Sequence, residues 1–337
     1  PPPPVPRVAV DKGDVDLVKV LLKAGGNVNQ AQTTTGCSPL WQASQNGHVD
    51  TVKVLINAGG NVNQARTTDG VSPLFIASEN GNVDTVKVLL KAGGNVNQAK
   101  TDTGSTPLYI ASQNGHIDTV KVLLKAGGNV NQAKTTDGAS PLFIASQNGN
   151  VAMVNVLLAA GANVNQAATE DVCTPLFIAA DEGNADVVKL LLGVKDIKPD
   201  ISNKYGGTPL YMACQNGNSK IVNLLIHSKH VNVNQPVTET EEKDCTPLII
   251  ASYLGQSLCV EILLSSNDID LTATFEGKTA LMWAQPNARS SGIYLDVGEQ
   301  INIEGRRNIV NLITSANGST STFQGETKTQ NGNNNKK

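Results

Sequence analysis

A tripeptide, Ser/Thr-Pro-Leu, returns along this chain with its proline at Pro39, Pro73, Pro107, Pro141, Pro175 and Pro209, each 34 residues after the last. It recurs at Pro247 after 38 residues and as Thr279-Ala280-Leu281 after another 33. A period in this range predicts stacked repeating units rather than a single globule.

The unit from Gly104 to Asp137 shows why. Thr106 is a good N-cap and Pro107 suits the first helical position, where the missing N–H costs nothing. A short helix is predicted from about Pro107 to Asn114, ended by Gly115 in the left-handed conformation. A second helix follows, with Ile117, Val120, Leu123 and Leu124 on one face and Asp118, Thr119, Lys121 and Lys125 on the other. Gly127-Gly128 stops it, and the polar stretch Asn129 to Asp137 reads as a hairpin-like finger. Helices this short are unstable alone. Their apolar faces must be buried against the next unit.

Gly104-Ser105-Thr106-Pro107-Leu108, Ala111, Gly115, Val120, Leu123-Leu124, Gly127 and Val130-Asn131 together resemble the ankyrin repeat. The resemblance covers roughly residues 8 to 315 and implies an all-α ankyrin-repeat solenoid of about nine helix-turn-helix units with finger loops. It divides the chain into a proline-rich start with a truncated first repeat (1–35), seven repeats (36–276), a divergent capping repeat (277–315) and a disordered polar tail (316–337). The first unit is expected to keep its second helix, Val15 to Leu22, while its opening motif is replaced by proline-rich sequence. In the ninth, about 17 extra residues separate the helices.

The family's histidine after Thr-Pro-Leu is replaced here by Trp41, Phe75, Tyr109, Phe143, Phe177, Tyr211, Ile249 and Met282. The aromatic row is either core or, if exposed, an anchor stripe for a partner. The regular units have one residue more than the usual 33, placed in the finger. The seventh finger is longer still and acidic, Glu239 to Asp244, and is read either as a solvated charge run or as a contact for a basic partner.

Family members usually bind proteins on the concave side, built from finger tips and first helices. The residues there are Gln45-Asn46, Glu79-Asn80, Gln113-Asn114, Gln147-Asn148, Asp181-Glu182 and Gln215-Asn216. Amides donate and accept, so such a row can bond an extended partner, or it can simply end helices and solvate them. Thr67-Thr68-Asp69, Thr101-Asp102-Thr103 and Thr135-Thr136-Asp137 on the tips read as turn chemistry. Ankyrin repeats can be hydroxylated at the Asn of Val-Asn, and Asn63, Asn97 and Asn131, each with a leucine eight residues before it, fit that pattern; the same asparagines are also read as holding the turn.

Chemistry-bearing motifs are nearly absent. Gly277-Lys278-Thr279 resembles the end of a phosphate loop, but that loop needs glycine where Thr272 stands. His227 and His230 lack a third ligand at natural spacing. His48 and His116 alternate with Asn82 and Asn150, which suits capping rather than proton transfer. Five cysteines at no ligand or redox spacing, Cys37, Cys173, Cys214, Cys245 and Cys259, suggest free thiols in a reducing compartment. The 26 Lys+Arg against 29 Asp+Glu, a net charge of −3, give no basic footprint for nucleic acid. No apolar run is long enough to span a bilayer, and Pro1 to Pro4 are no secretory signal.

The expected protein is a non-catalytic scaffold, cytoplasmic or nuclear, with no cofactor and no metal, binding another protein as a monomeric array. Two alternatives stay open: a fragment of a larger enzyme, channel or effector, suggested by the start without Met, and a structural or elastic spacer, suggested by the near-identical units.

Overall fold

The computed structural model describes residues 7–290, 293 and 301–326. The chain forms two compact units, Pro1–Glu170 and Asp171–Lys337. In the first, five helix pairs follow one another: α1 (Arg7–Asp11) with α2 (Val15–Lys23), α3 (Pro39–Gln45) with α4 (Val49–Asn57), α5 (Pro73–Glu79) with α6 (Val83–Lys91), α7 (Pro107–Gln113) with α8 (Ile117–Lys125), and α9 (Pro141–Gln147) with α10 (Val151–Ala159). The second holds α11 (Pro175–Asp181) with α12 (Ala185–Leu192), α13 (Pro209–Gln215) with α14 (Ser219–Ile226), α15 (Pro247–Leu254) with α16 (Ser257–Leu264), and α17 (Ala280–Trp283) with α18 (Ile303–Glu326). Within each unit, first helices pack on first helices and second on second.

The first helices start as the sequence dictates. Ser38 Oγ accepts the Trp41 N–H at 3.2 Å and Thr106 Oγ1 accepts that of Tyr109 at 3.1 Å, with proline at the next position. They end where the Gly115 backbone turns left-handed, at φ +77°, and the His116 N–H returns to the Ala111 carbonyl. Leu108, Ala111, Val120 and Leu123 have no measurable exposure, and the same four positions are buried in neighbouring repeats. Each such leucine, fully desolvated, contributes about 2–3 kcal/mol. The outer face of the second helices carries only exposed pairs such as Asp84–Lys87, worth little.

Fingers close by paired backbone bonds. The Lys134 N–H donates to the Ala139 carbonyl and the Gly138 N–H to the Lys134 carbonyl. Neighbouring fingers are then joined by one further backbone bond, as from the Thr135 N–H to the Thr103 carbonyl at 2.9 Å. A Cβ at left-handed Gly104 would come within 2.7 Å of the Thr135 backbone nitrogen, so only glycine fits that approach.

Two readings of the sequence differ from the structure, and a third point concerns the opening of the last repeat. The first repeat does have a first helix: α1 forms just after the prolines because Ala9 and Val10 find a buried face. Helix α18 runs to Glu326, into the stretch expected to be disordered, because propagating a helix already anchored by Ile309 and Ile313 costs little per residue. Gly277-Lys278-Thr279 lies in a small hairpin, β1 (Thr274–Phe275) with β2 (Lys278–Thr279), opening the last repeat. Of the insertion before α18, residues 291, 292 and 294–300 fall outside the described residues. That repeat packs on the one before it through aromatic rings, Trp283 edge to face with Tyr253 of α15 at 5.4 Å and Arg306 lying over Tyr253.

Candidate binding surface and the inter-repeat staples

The paired residues at the ends of the first helices divide into two jobs. The asparagine of each pair reaches back one repeat: Asn80 Nδ2 donates to the Gln45 carbonyl at 2.9 Å, Asn114 to Glu79 at 2.8 Å, and Asn148 to Gln113 at 2.9 Å. Asn46 does the same toward Asp11 and, in the second unit, Asn216 toward Asp181. These carbonyls belong to helix C-termini that lack intrahelical donors. The side chain before each asparagine remains at the surface: Gln113 is exposed and Gln45, Glu79, Gln147 and Gln215 are half-buried. Asp181 is half-buried and Glu182 exposed.

A second residue reinforces the same joint. His116 Nε2 lies 3.0 Å from the Glu79 carbonyl and His48 Nε2 2.8 Å from that of Asp11, while Asn82 Nδ2 donates to Ser44 and Gln45. Either side chain can donate to a carbonyl, which explains the alternation of His and Asn. Among the described residues no three His, Cys, Asp or Glu side chains converge to hold a metal.

At the far end of each repeat, the Val-Asn asparagine clamps the turn that follows the next second helix. Asn63 Nδ2 donates to the Gly93 carbonyl at 3.1 Å while its Oδ1 accepts the Asn95 N–H at 2.7 Å. Asn29, Asn97 and Asn131 repeat this arrangement. Asn63, Asn97 and Asn131 therefore have both amide atoms engaged between repeats. In the sixth repeat Asp200 stands in this role, accepting the Asn232 N–H, and burial raises its pKa against that bond.

The aromatic row lies inside. Trp41, Phe75, Tyr109, Phe177 and Tyr211 are 2–3% exposed, and Phe143 is half-buried. Finger cations cover two of these rings: the Arg66 guanidinium is 4.7 Å from the Trp41 centroid and Lys134 Nζ 5.6 Å from that of Tyr109. Each cation also holds a finger carboxylate, Arg66 with Asp69 and Lys134 with Asp137. The hydrogen bond from Arg66 keeps the Asp69 carboxyl below its usual range. Desolvation pushes the Tyr109 hydroxyl up to about 12. Asp69, Asp137 and Thr103 also accept backbone N–H groups two residues on, which is turn chemistry at the finger tips.

The cysteines are free and buried. Desolvation raises the thiols of Cys173 to about 12 and Cys259 to about 11, and raises those of Cys214 and Cys245 strongly.

Helix pairs with capped first helices, closed fingers and amide staples define a repeat array whose exposed variation lies on first-helix ends and fingers. The model for three consecutive ankyrin repeats matches residues 7–100, 92–168 and 167–237, and a single-repeat model matches 243–274. The chain belongs to the ankyrin repeat family. Such repeats are generally protein–protein interaction modules and typically non-catalytic. No curated protein matches the chain. No described helix is long and apolar enough to cross a membrane.

Proposed function

We propose that this array is a non-catalytic scaffold that binds a partner protein through its first-helix ends and fingers, the concave side by family resemblance. The carrying observation is the division of labour at the first-helix ends. Asn80, Asn114 and Asn148 are tied to the preceding repeat, and each bond fixes the backbone beside Gln45, Glu79 and Gln113. A row of polar side chains on a pinned backbone costs little ordering when it meets an extended partner. We take the protein to act as a monomeric array inside the cell, the compartment being supported by free thiols at all five cysteines.

The test is affinity capture with the full chain against a variant with Gln45, Gln113 and Gln147 changed to Ala. The asparagines stay intact because they hold repeats together. A saturable protein partner retained by the wild type and lost by the variant, with helical circular dichroism unchanged, is the expected result. Equal capture by both proteins contradicts the reading.

A further inference from the structure

A groove of about 650 Å³ lies between the sixth and seventh repeats, where α12 and α14 run into the turns that follow them. Its floor is apolar: Leu192, Val194, Ile197 and Leu224 are half-buried. Its rim is cationic. Lys189, Lys195, His227, Lys229 and His230 are exposed there, and no aspartate or glutamate is among the residues that line it.

Two departures from the earlier repeats make this groove. The first is the turn itself. In the first four repeats the second helix ends in Ala-Gly-Gly, as at Ala126-Gly127-Gly128, with at most one lysine beside it, such as Lys125. The left-handed residue there, Gly127 at φ +87°, has no side chain. The sixth and seventh turns are one residue longer and read Gly193-Val194-Lys195-Asp196-Ile197 and His227-Ser228-Lys229-His230-Val231. The left-handed residue of the seventh is His230, at φ +69°. His227 Nδ1 donates to the Asn223 carbonyl at 2.8 Å, which holds that ring at the groove. Length alone does not bring the charge, because the eighth turn is equally long and reads Ser265-Ser266-Asn267-Asp268-Ile269.

The second departure is a change of partner. In α2, α4, α6 and α8 an outer-face lysine ion-pairs with the aspartate three residues before it, as Lys53 with Asp50 at 2.9 Å and Lys121 with Asp118 at 3.5 Å. Helix α12 keeps both residues, Asp186 and Lys189, but α14 carries Lys220 at the position matching Asp186. Lys220 Nζ reaches across to Asp186 Oδ1 at 2.9 Å. The carboxylate that would pair Lys189 within its own helix is thus bonded by the next repeat. Among the described residues, Lys189, Lys195 and Lys229 make no ion pair.

We propose that this groove binds an acidic segment of a partner protein, with Asp or Glu side chains against Lys189, Lys195 and Lys229 and an apolar side chain on the Leu192–Leu224 floor. Charge complementarity selects the carboxylates, and the half-buried floor selects the apolar residue between them. The chain as a whole carries −3, so the attraction is local to the groove rather than a property of the molecule. A concave site with an apolar floor suits a peptide rather than the headgroup plane of a membrane. The groove uses no residue of the first-helix ends or finger tips and is independent of the function proposed above.

The full chain is screened by fluorescence polarisation against a positional-scanning library of acetylated hexapeptides in about 0.15 M salt. Selection of Asp or Glu at two or more positions around Leu, Ile or Phe is expected. The affinity of the selected peptide should then fall roughly fivefold in a Lys195→Gln/Lys229→Gln variant. It should be unchanged in Lys53→Gln/Lys121→Gln, whose lysines match Lys189 but hold carboxylates of their own, and in the Gln45/Gln113/Gln147 variant. A library with no acidic selection, or an affinity unchanged in the folded Lys195→Gln/Lys229→Gln protein, overturns the inference. Equal loss in Lys53→Gln/Lys121→Gln also overturns it, as the mark of general charge attraction, and so does binding to phosphatidylserine vesicles with no acidic peptide selected. Loss in the Gln45/Gln113/Gln147 variant would put the peptide on the first-helix face and overturn it too. None of the other contrary results touches the reading of the first-helix ends.

Discussion

Arg66 lies over the ring of Trp41, 4.7 Å from its centroid, and Nε of the same guanidinium bonds Asp69 at 2.9 Å. One side chain thus fastens a finger to the first helix before it. Asp69, its carboxyl held low by that bond, contributes stability that is fully present above its unfolded pKa near about 3.9. The contribution is lost as pH falls through the lower folded value. Asp69→Asn should cost about 1 kcal/mol at pH 7, and urea titrations of the two proteins should converge at acid pH.

Asp200 has the opposite sign. Burial raises its pKa, so the folded state favours the protonated form and gains stability as pH falls through the folded value. Asp200→Asn restores the amide of the other repeats and removes the charge. It should stabilise the chain by about 1 kcal/mol at pH 7, with the gain shrinking at acid pH in the same urea titration.

Val172 occupies the finger position held by Gly36, Gly70, Gly104 and Gly138, and it adopts φ +60°. A β-branched residue in this region is strained. Val172→Gly should raise the thermal midpoint, the relief being about 1 kcal/mol.

Asn63 and Gln113 differ in kind although both are surface amides. Asn63→Ala removes two bonds to the next repeat and should cost about 1–2 kcal/mol. Gln113→Ala should change the urea midpoint little, within about 0.5 kcal/mol.

Cys173 and Cys259, with thiols raised to about 12 and 11, should resist a thiol-reactive dye at pH 7.5 until denaturant is added. Rapid labelling of either in the native chain contradicts their burial.

Helix starts were legible because capping is local: Thr106, Pro107 and Leu108 carry their own instructions. The core was legible for the same reason, since Val120 and Leu123 mark a buried face by spacing alone. The staples were not, because the acceptor of Asn80 is a backbone carbonyl 35 residues earlier and no side-chain pattern encodes it. One signal was available: five of the six first-helix ends carry asparagine at that position, at 46, 80, 114, 148 and 216, and only Glu182 departs from it.

Binding through first helices and fingers is tested most directly by hydrogen–deuterium exchange on the full chain, alone and with its captured partner. Slowed exchange around Gln45, Glu79, Gln113 and Gln147 and in the fingers, with α4, α6 and α8 unchanged, is the predicted result. Protection confined to those second helices, around Asp50–Lys53 and Asp84–Lys87, would place the partner on the opposite face and contradict the account.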